Sequence, residues 1–157
     1  MLIKVILALS LLVLFSCSVL VEERRADSCL IVDDPTGNRG TLKVNCPELS
    51  FLLFYDNSPD GRDPLILEVK GIKARRLEGK RIEPYHIQTG SYETLSGWAY
   101  EEEWKLGNYS LKGFEYYVNG GTACYEEEER ATVELVRNGR RVKLLNRYWH
   151  ETDCGGN

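Results

Sequence analysis

Val133-Glu134-Leu135-Val136-Arg137-Asn138-Gly139-Arg140-Arg141-Val142-Lys143-Leu144 is the stretch that decides the fold. Asn-Gly is a preferred centre for a two-residue hairpin turn, because both residues tolerate the positive φ that a primed turn demands. Folding about it sets Arg137 opposite Arg140. In register, Leu135 then meets Val142 and Val133 meets Leu144 on one face, while Glu134 meets Lys143 on the other. An apolar ladder backed by a charge pair is the pattern of a half-buried antiparallel pair. Carried outward, the register sets Cys124 opposite Asp153, one residue short of Cys154, and a single β-bulge would absorb the difference.

A second hairpin reads the same way near the N-terminus. Cys29-Leu30-Ile31-Val32 and Leu42-Lys43-Val44-Asn45-Cys46 flank the turn-rich Asp34-Pro35-Thr36-Gly37-Asn38-Arg39-Gly40. Folding about Gly37 and Asn38 places Cys29 opposite Cys46. Each pair closes the open end of its own hairpin, so the expected disulfides are Cys29–Cys46 and Cys124–Cys154. Cysteine and histidine spacings of zinc type are absent, and no metal or cofactor is expected.

Between the hairpins, Leu49 to Tyr55 is an apolar run ended by Asp56-Asn57-Ser58-Pro59-Asp60-Gly61, a strong turn signal. Leu65 to Val69, Ile72 to Leu77 and Ile82 to Ile87 read as further strands. Trp98, Tyr100, Glu102 and Trp104 alternate with Ala99, Glu101 and Glu103, the period of a strand with one aromatic face. Its partner is Tyr109 to Val118, across Lys105-Leu106-Gly107-Asn108. No stretch holds a helical period, and roughly nine or ten short strands imply an all-β chain, an antiparallel β-sandwich or small β-barrel with two disulfides.

The first residues carry an address rather than a fold. Lys4 gives a cationic opening, Val5 to Phe15 is apolar apart from Ser10, and Leu14-Phe15-Ser16-Cys17 presents a cysteine where an export signal would be cut. This stretch resembles the signal peptide of bacterial lipoproteins, with Leu14 three places before the lipobox cysteine Cys17 and small Ser16 just before it. The resemblance covers residues 1–17. It implies a signal peptide over 1–16, acylation of Cys17, and anchoring to a bacterial membrane by several acyl chains. Two other readings stay open. A secretory signal cut before Val19 would leave a secreted protein, and the uncharged run from Val5 to Val21, at 17 residues, reaches the lower limit for an uncleaved span. Residues 17–28 would form the acylated cysteine and its tether, with Glu22-Glu23-Arg24-Arg25 too charged to pack, and 29–157 a single β-rich domain. Loss of residues 1–16 leaves 19 basic against 24 acidic groups, a balance of −5, which argues against nucleic acid as a partner.

Nucleophile elbows, phosphate loops and His-Glu-x-x-His are missing. His150-Glu151-Thr152-Asp153 reads as a polar strand end rather than a ligand set. Two glutamate runs stand out, Glu101-Glu102-Glu103 and Glu126-Glu127-Glu128-Glu129. Solvated strand faces are the plain interpretation; an acidic surface for a cationic partner is the sharper one, if the two strands are neighbours. Basic residues such as Arg76, Arg81 and Arg147 interleave with apolar ones as outward faces would. Among the many aromatics, Tyr92 belongs to a loop-like segment, Ser91 to Gly97, that lies next to Trp98 and could form a recognition surface with it. Together these features point to an envelope lipoprotein that binds, or inhibits, another exported protein. The alternatives are a small carboxylate-dependent hydrolase and a structural or assembly factor of the envelope.

Overall fold

The Asn138-Gly139 turn forms with φ of 49° and 78°, and Arg137 faces Arg140 across it. It belongs to a computed structural model that describes residues 21–36, 39–56, 67–89 and 93–155. Ten strands follow one another: β1 (Glu22–Ala26), β2 (Cys29–Asp34), β3 (Arg39–Cys46), β4 (Leu49–Asp56), β5 (Glu68–Lys70), β6 (Arg75–Gln88), β7 (Thr94–Leu106), β8 (Tyr109–Gly120), β9 (Tyr125–Arg137) and β10 (Arg140–Asp153). No helix occurs among the described residues. The first five strands make one antiparallel meander and the last five another. No described strand of one sheet is hydrogen-bonded to a strand of the other, so the arrangement is a sandwich rather than a closed barrel.

Alternate side chains of both sheets meet in a common core. Ile31, Leu42, Val44, Phe51, Leu53 and Tyr55 come from the first sheet, and Leu106, Leu111, Val133, Leu135, Val142 and Leu144 from the second. The sheets differ in length. Strands of 3 to 8 residues in the first face strands of 12 to 14 in the second, about 26 Å at most against about 40 Å or more. The second sheet therefore extends past the first. Beyond the shared core it builds a smaller cluster on its opposite face, where Leu95, Ala99, Tyr116 and Val118 are buried beneath Ile82, Tyr85, Ile87 and Phe114. Gly97 permits the close approach this requires, since a Cβ there would lie 2.0 Å from the Tyr117 carbonyl oxygen.

Both expected disulfides are present, Cys29–Cys46 and Cys124–Cys154. The bulge expected in the second hairpin falls between Lys143 and Leu145, so Val133 meets Leu145 rather than Leu144. Its effect reaches further than the cysteines. An inserted residue exchanges the two faces of everything beyond it, so Arg147 and Trp149 turn to the core side and Asn146 and Tyr148 away from it. Both Leu144 and Leu145 are buried at the switch.

Four further expectations change. Glu22 to Ala26, read as tether, is the edge strand β1: Glu22, Glu23 and Arg25 stay exposed, while Arg24, opposite Ile31 and half-buried, reaches over to donate to the Leu144 carbonyl oxygen. The two strands expected at 72–77 and 82–87 are one, β6, interrupted by register shifts between Arg76 and Glu78 and between Ile82 and Tyr85. The strand expected over 65–69 is the shorter β5, with 65 and 66 outside the described residues. Ser91 to Gly97 is not a loop throughout, because Thr94 onward pairs with Gln88 and belongs to β7.

Candidate functional site

The core-side face of the long sheet changes character where the first sheet ends. Down β8 it reads Tyr109, Leu111, Gly113, Glu115, Tyr117, Asn119; down β9 Leu135, Val133, Ala131, Glu129, Glu127; down β10, after the bulge, Leu145, Arg147, Trp149, Glu151. Direct cross-strand partners stack these into rows. Tyr100, Glu115, Ala131 and Arg147 form one, Trp98, Tyr117, Glu129 and Trp149 the next, and Ser96, Asn119, Glu127 and Glu151 the last. An apolar face thus becomes aromatic and acidic within a few residues.

Its inner part is a network of buried polar groups, in which Arg147 Nη2 lacks a hydrogen-bond partner among the described residues. Glu102 and Glu115 are each 4% exposed. Glu102 accepts from Trp104 Nε1 at 2.6 Å and lies 3.2 Å from Arg76 Nε, yet burial still pushes its carboxyl above the usual range, against the pull of Arg76 and the Trp104 hydrogen bond. Burial likewise raises Glu129, with Arg147 pulling the other way. Arg147 stacks 4.4 Å over the Tyr55 ring and donates to the Asp56 carbonyl oxygen at 3.4 Å, sealing the end of the core. Trp98 is buried under the Arg81 guanidinium, 4.9 Å above its ring, with Tyr117 at 6.3 Å. Tyr117 and Tyr125 both donate to Glu127 Oε1, at 2.9 and 2.7 Å, and that bond pushes the Tyr125 hydroxyl up to about 12.

The rim is different. Tyr125, Tyr148 and Trp149 are 48%, 60% and 44% exposed, and they are three of the five large hydrophobic side chains exposed among the described residues. All three lie at the end of the β9–β10 hairpin away from its turn, beside Glu126 to Glu129, Glu151 and Asp153. On the opposite face there, a cavity of about 520 Å³ is lined by Ile87, Tyr116, Glu126, Glu128 and His150 among others, and Tyr116 donates its hydroxyl to Glu128.

The glutamate runs are not brought together. Strand β8 separates them, and each run is divided between the two faces: Glu102, Glu127 and Glu129 on the core side, Glu101, Glu103, Glu126 and Glu128 on the other. Glu103 lies 3.8 Å from Lys112 and Glu101 sits opposite Lys80. Arg76, Arg81 and Arg147, read as outward, face the core side. Cys17 and Tyr92 lie outside the described residues. Sequence reasoning missed Glu115, Tyr125, Tyr148 and Trp149. The available signal was the hairpin register itself, which, continued past Ala131, sets aromatic residues of β10 against glutamates of β9. No protein-family model matches the chain, and neither a curated protein nor a solved structure matches it.

Proposed function

We propose that the protein is an exported, envelope-anchored binding protein whose contact surface is the acidic aromatic end of the β9–β10 hairpin, and that its partner is another exported protein bearing exposed lysine or arginine. One observation carries this: the exposed aromatic side chains gather among carboxylates instead of scattering. Tyrosine and tryptophan offer rigid area with a polar tip, their ring faces attract cations, and the surrounding carboxylates add charge complementarity. The lipobox resemblance and the two disulfides support export. Acylation of Cys17 would hold this surface at the membrane.

The test is kinetic. For a partner captured from the native envelope, joint replacement of the exposed Glu151 and Asp153 by Lys is expected to slow association at least tenfold at low salt and far less at high salt, because exposed charges are screened beyond about 8 Å at physiological ionic strength. Tyr148→Ala with Trp149→Ala is expected to speed dissociation. Unchanged rates in both variants would sink the proposal. A second reading, a carboxylate-dependent hydrolase, is favoured by Glu102 and Glu115 being buried on one face of adjacent strands; it requires turnover of a glycan substrate that Glu115→Gln abolishes.

A further inference from the structure

We infer that the partner is received as an extended, lysine- or arginine-bearing segment that adds to the free edge of β10 as an eleventh strand; this rests on the binding reading above. The long sheet and its companion present four edges, β1, β5, β6 and β10. Exposed edges invite pairing with other chains, and proteins blunt them with shortness, bulges, proline and cationic side chains. Three of the four edges are blunted in this way. β5 has three residues, β1 has five with Glu22, Glu23, Arg24 and Arg25 along it, and β6 carries Arg75, Arg76, Lys80, Arg81, Pro84 and two register shifts.

The fourth edge is blunted only at its start. β1 lies beside the first part of β10, where Arg24 meets the Leu144 carbonyl oxygen and Arg140 lies 3.8 Å from Asp27. From Tyr148 to Asp153 the strand runs regularly against β9, without proline, lysine, arginine or bulge, and no described strand pairs with its other edge. Backbone donors and acceptors on that edge provide affinity for any extended segment, and side chains on the two faces select which one. Here both faces favour cations. Trp149, Glu151 and Asp153 border the core side and Tyr148 and His150 the other, while β9 behind them alternates Glu127 and Glu129 with Glu126 and Glu128. A second copy of this chain would bring two such acidic strand pairs together, so like-charge repulsion disfavours it.

Linear ten-residue peptides selected from a display library against the full chain supply the probe. Selected peptides are expected to carry Lys or Arg and to slow amide exchange over Tyr148 to Asp153 at least tenfold. Two N-methylated versions of the best peptide then decide the geometry, one methylated at odd positions and the other at even positions, since an added strand uses alternate backbone N–H groups. One version is expected to lose binding at least tenfold and the other to retain it. Equal behaviour of the two overturns strand addition; if both still bind and the peptides are basic, the acidic aromatic surface stands without it. Selected peptides lacking Lys and Arg, or none selected, overturn the binding reading together with the inference. A dimer whose β10 edge is already protected without peptide assigns the edge to a second copy and overturns strand addition as well.

Discussion

Glu102 sits on the boundary between the oily and the polar halves of its face, and its surroundings make a measurable statement about pH. Because burial raises its folded-state value above the usual 4.5, the folded chain holds this proton more tightly than the unfolded chain does. Stability from this group is therefore greatest below the ordinary carboxylate range, falls as pH rises from that range through the raised value, and is level above it. Glu102→Gln keeps an oxygen for Trp104 Nε1 while removing the charge. The variant is expected to lack this decline, so that the unfolding free energies of wild type and variant diverge in the variant's favour as pH rises above the ordinary carboxylate range. Parallel pH curves would remove Glu102 as the source. Glu102→Ala leaves the Trp104 N–H without its acceptor and is expected to cost about 1–3 kcal/mol. At this scale the sequence was partly legible. Three successive glutamates in a strand must divide between two faces, but which face is buried depends on where the opposing sheet ends, and no local pattern carries that.

The β9–β10 hairpin shows how one inserted residue governs a surface. Its turn, its first four pairs and its disulfide were all legible, because Asn138-Gly139 and the alternation around it are local. The site of the bulge was not, because any of several positions would have aligned Cys124 with Cys154; Leu144 takes it, where two consecutive leucines can both be buried. The two disulfides also differ in what they hold. Their loops, separated by 17 and 30 residues, give loop-entropy terms of about 3 and about 4 kcal/mol. Cys29 is in the shared core, whereas Cys154 is exposed at the end of the hairpin that the first sheet does not cover. Replacing Cys29 and Cys46 by Ser is expected to lower global stability by about 3 kcal/mol or more. Replacing Cys124 and Cys154 is expected to act mainly by local fraying, with amide exchange accelerated over Tyr125 to Glu129 and Trp149 to Asp153 and the denaturation midpoint less affected. Equal losses of global stability would show instead that the outer end folds cooperatively with the core.

For the whole molecule, the all-β class and the two bridges could be read from strand period and turn chemistry, while the extent of the long sheet could not, since it follows from the relative lengths of strands that pair far apart in sequence. That extent matters for where the surface is held. Strand β1 runs with its Asp27 end at Arg140 and Arg24 at Leu144, and Glu22 lines a cavity with Asn146 and Arg147. The chain upstream of β1 is therefore attached on the side of Tyr148 and Trp149. Five peptide steps separate Cys17 from Glu22, at most about 18 Å when fully extended. Under the proposed acylation, the acidic aromatic end must work close to a membrane, and partners beyond that reach are excluded. Cys17→Ala is expected to release the protein into the soluble fraction with its thermal midpoint unchanged, because the core begins with β2, and intact mass of the wild type should give a mature chain starting at an acylated Cys17. A mature wild-type chain starting at Val19 without acyl groups would refute the anchor. About twenty flexible Gly and Ser residues inserted after Cys17 have by themselves a root-mean-square span of about 25 Å. That variant is expected to keep its affinity for a free basic peptide while losing preference for membrane-bound over soluble partner, since the effective concentration set by a short tether falls as the tether lengthens. An unchanged preference would mean that the surface does not depend on the anchor for its position.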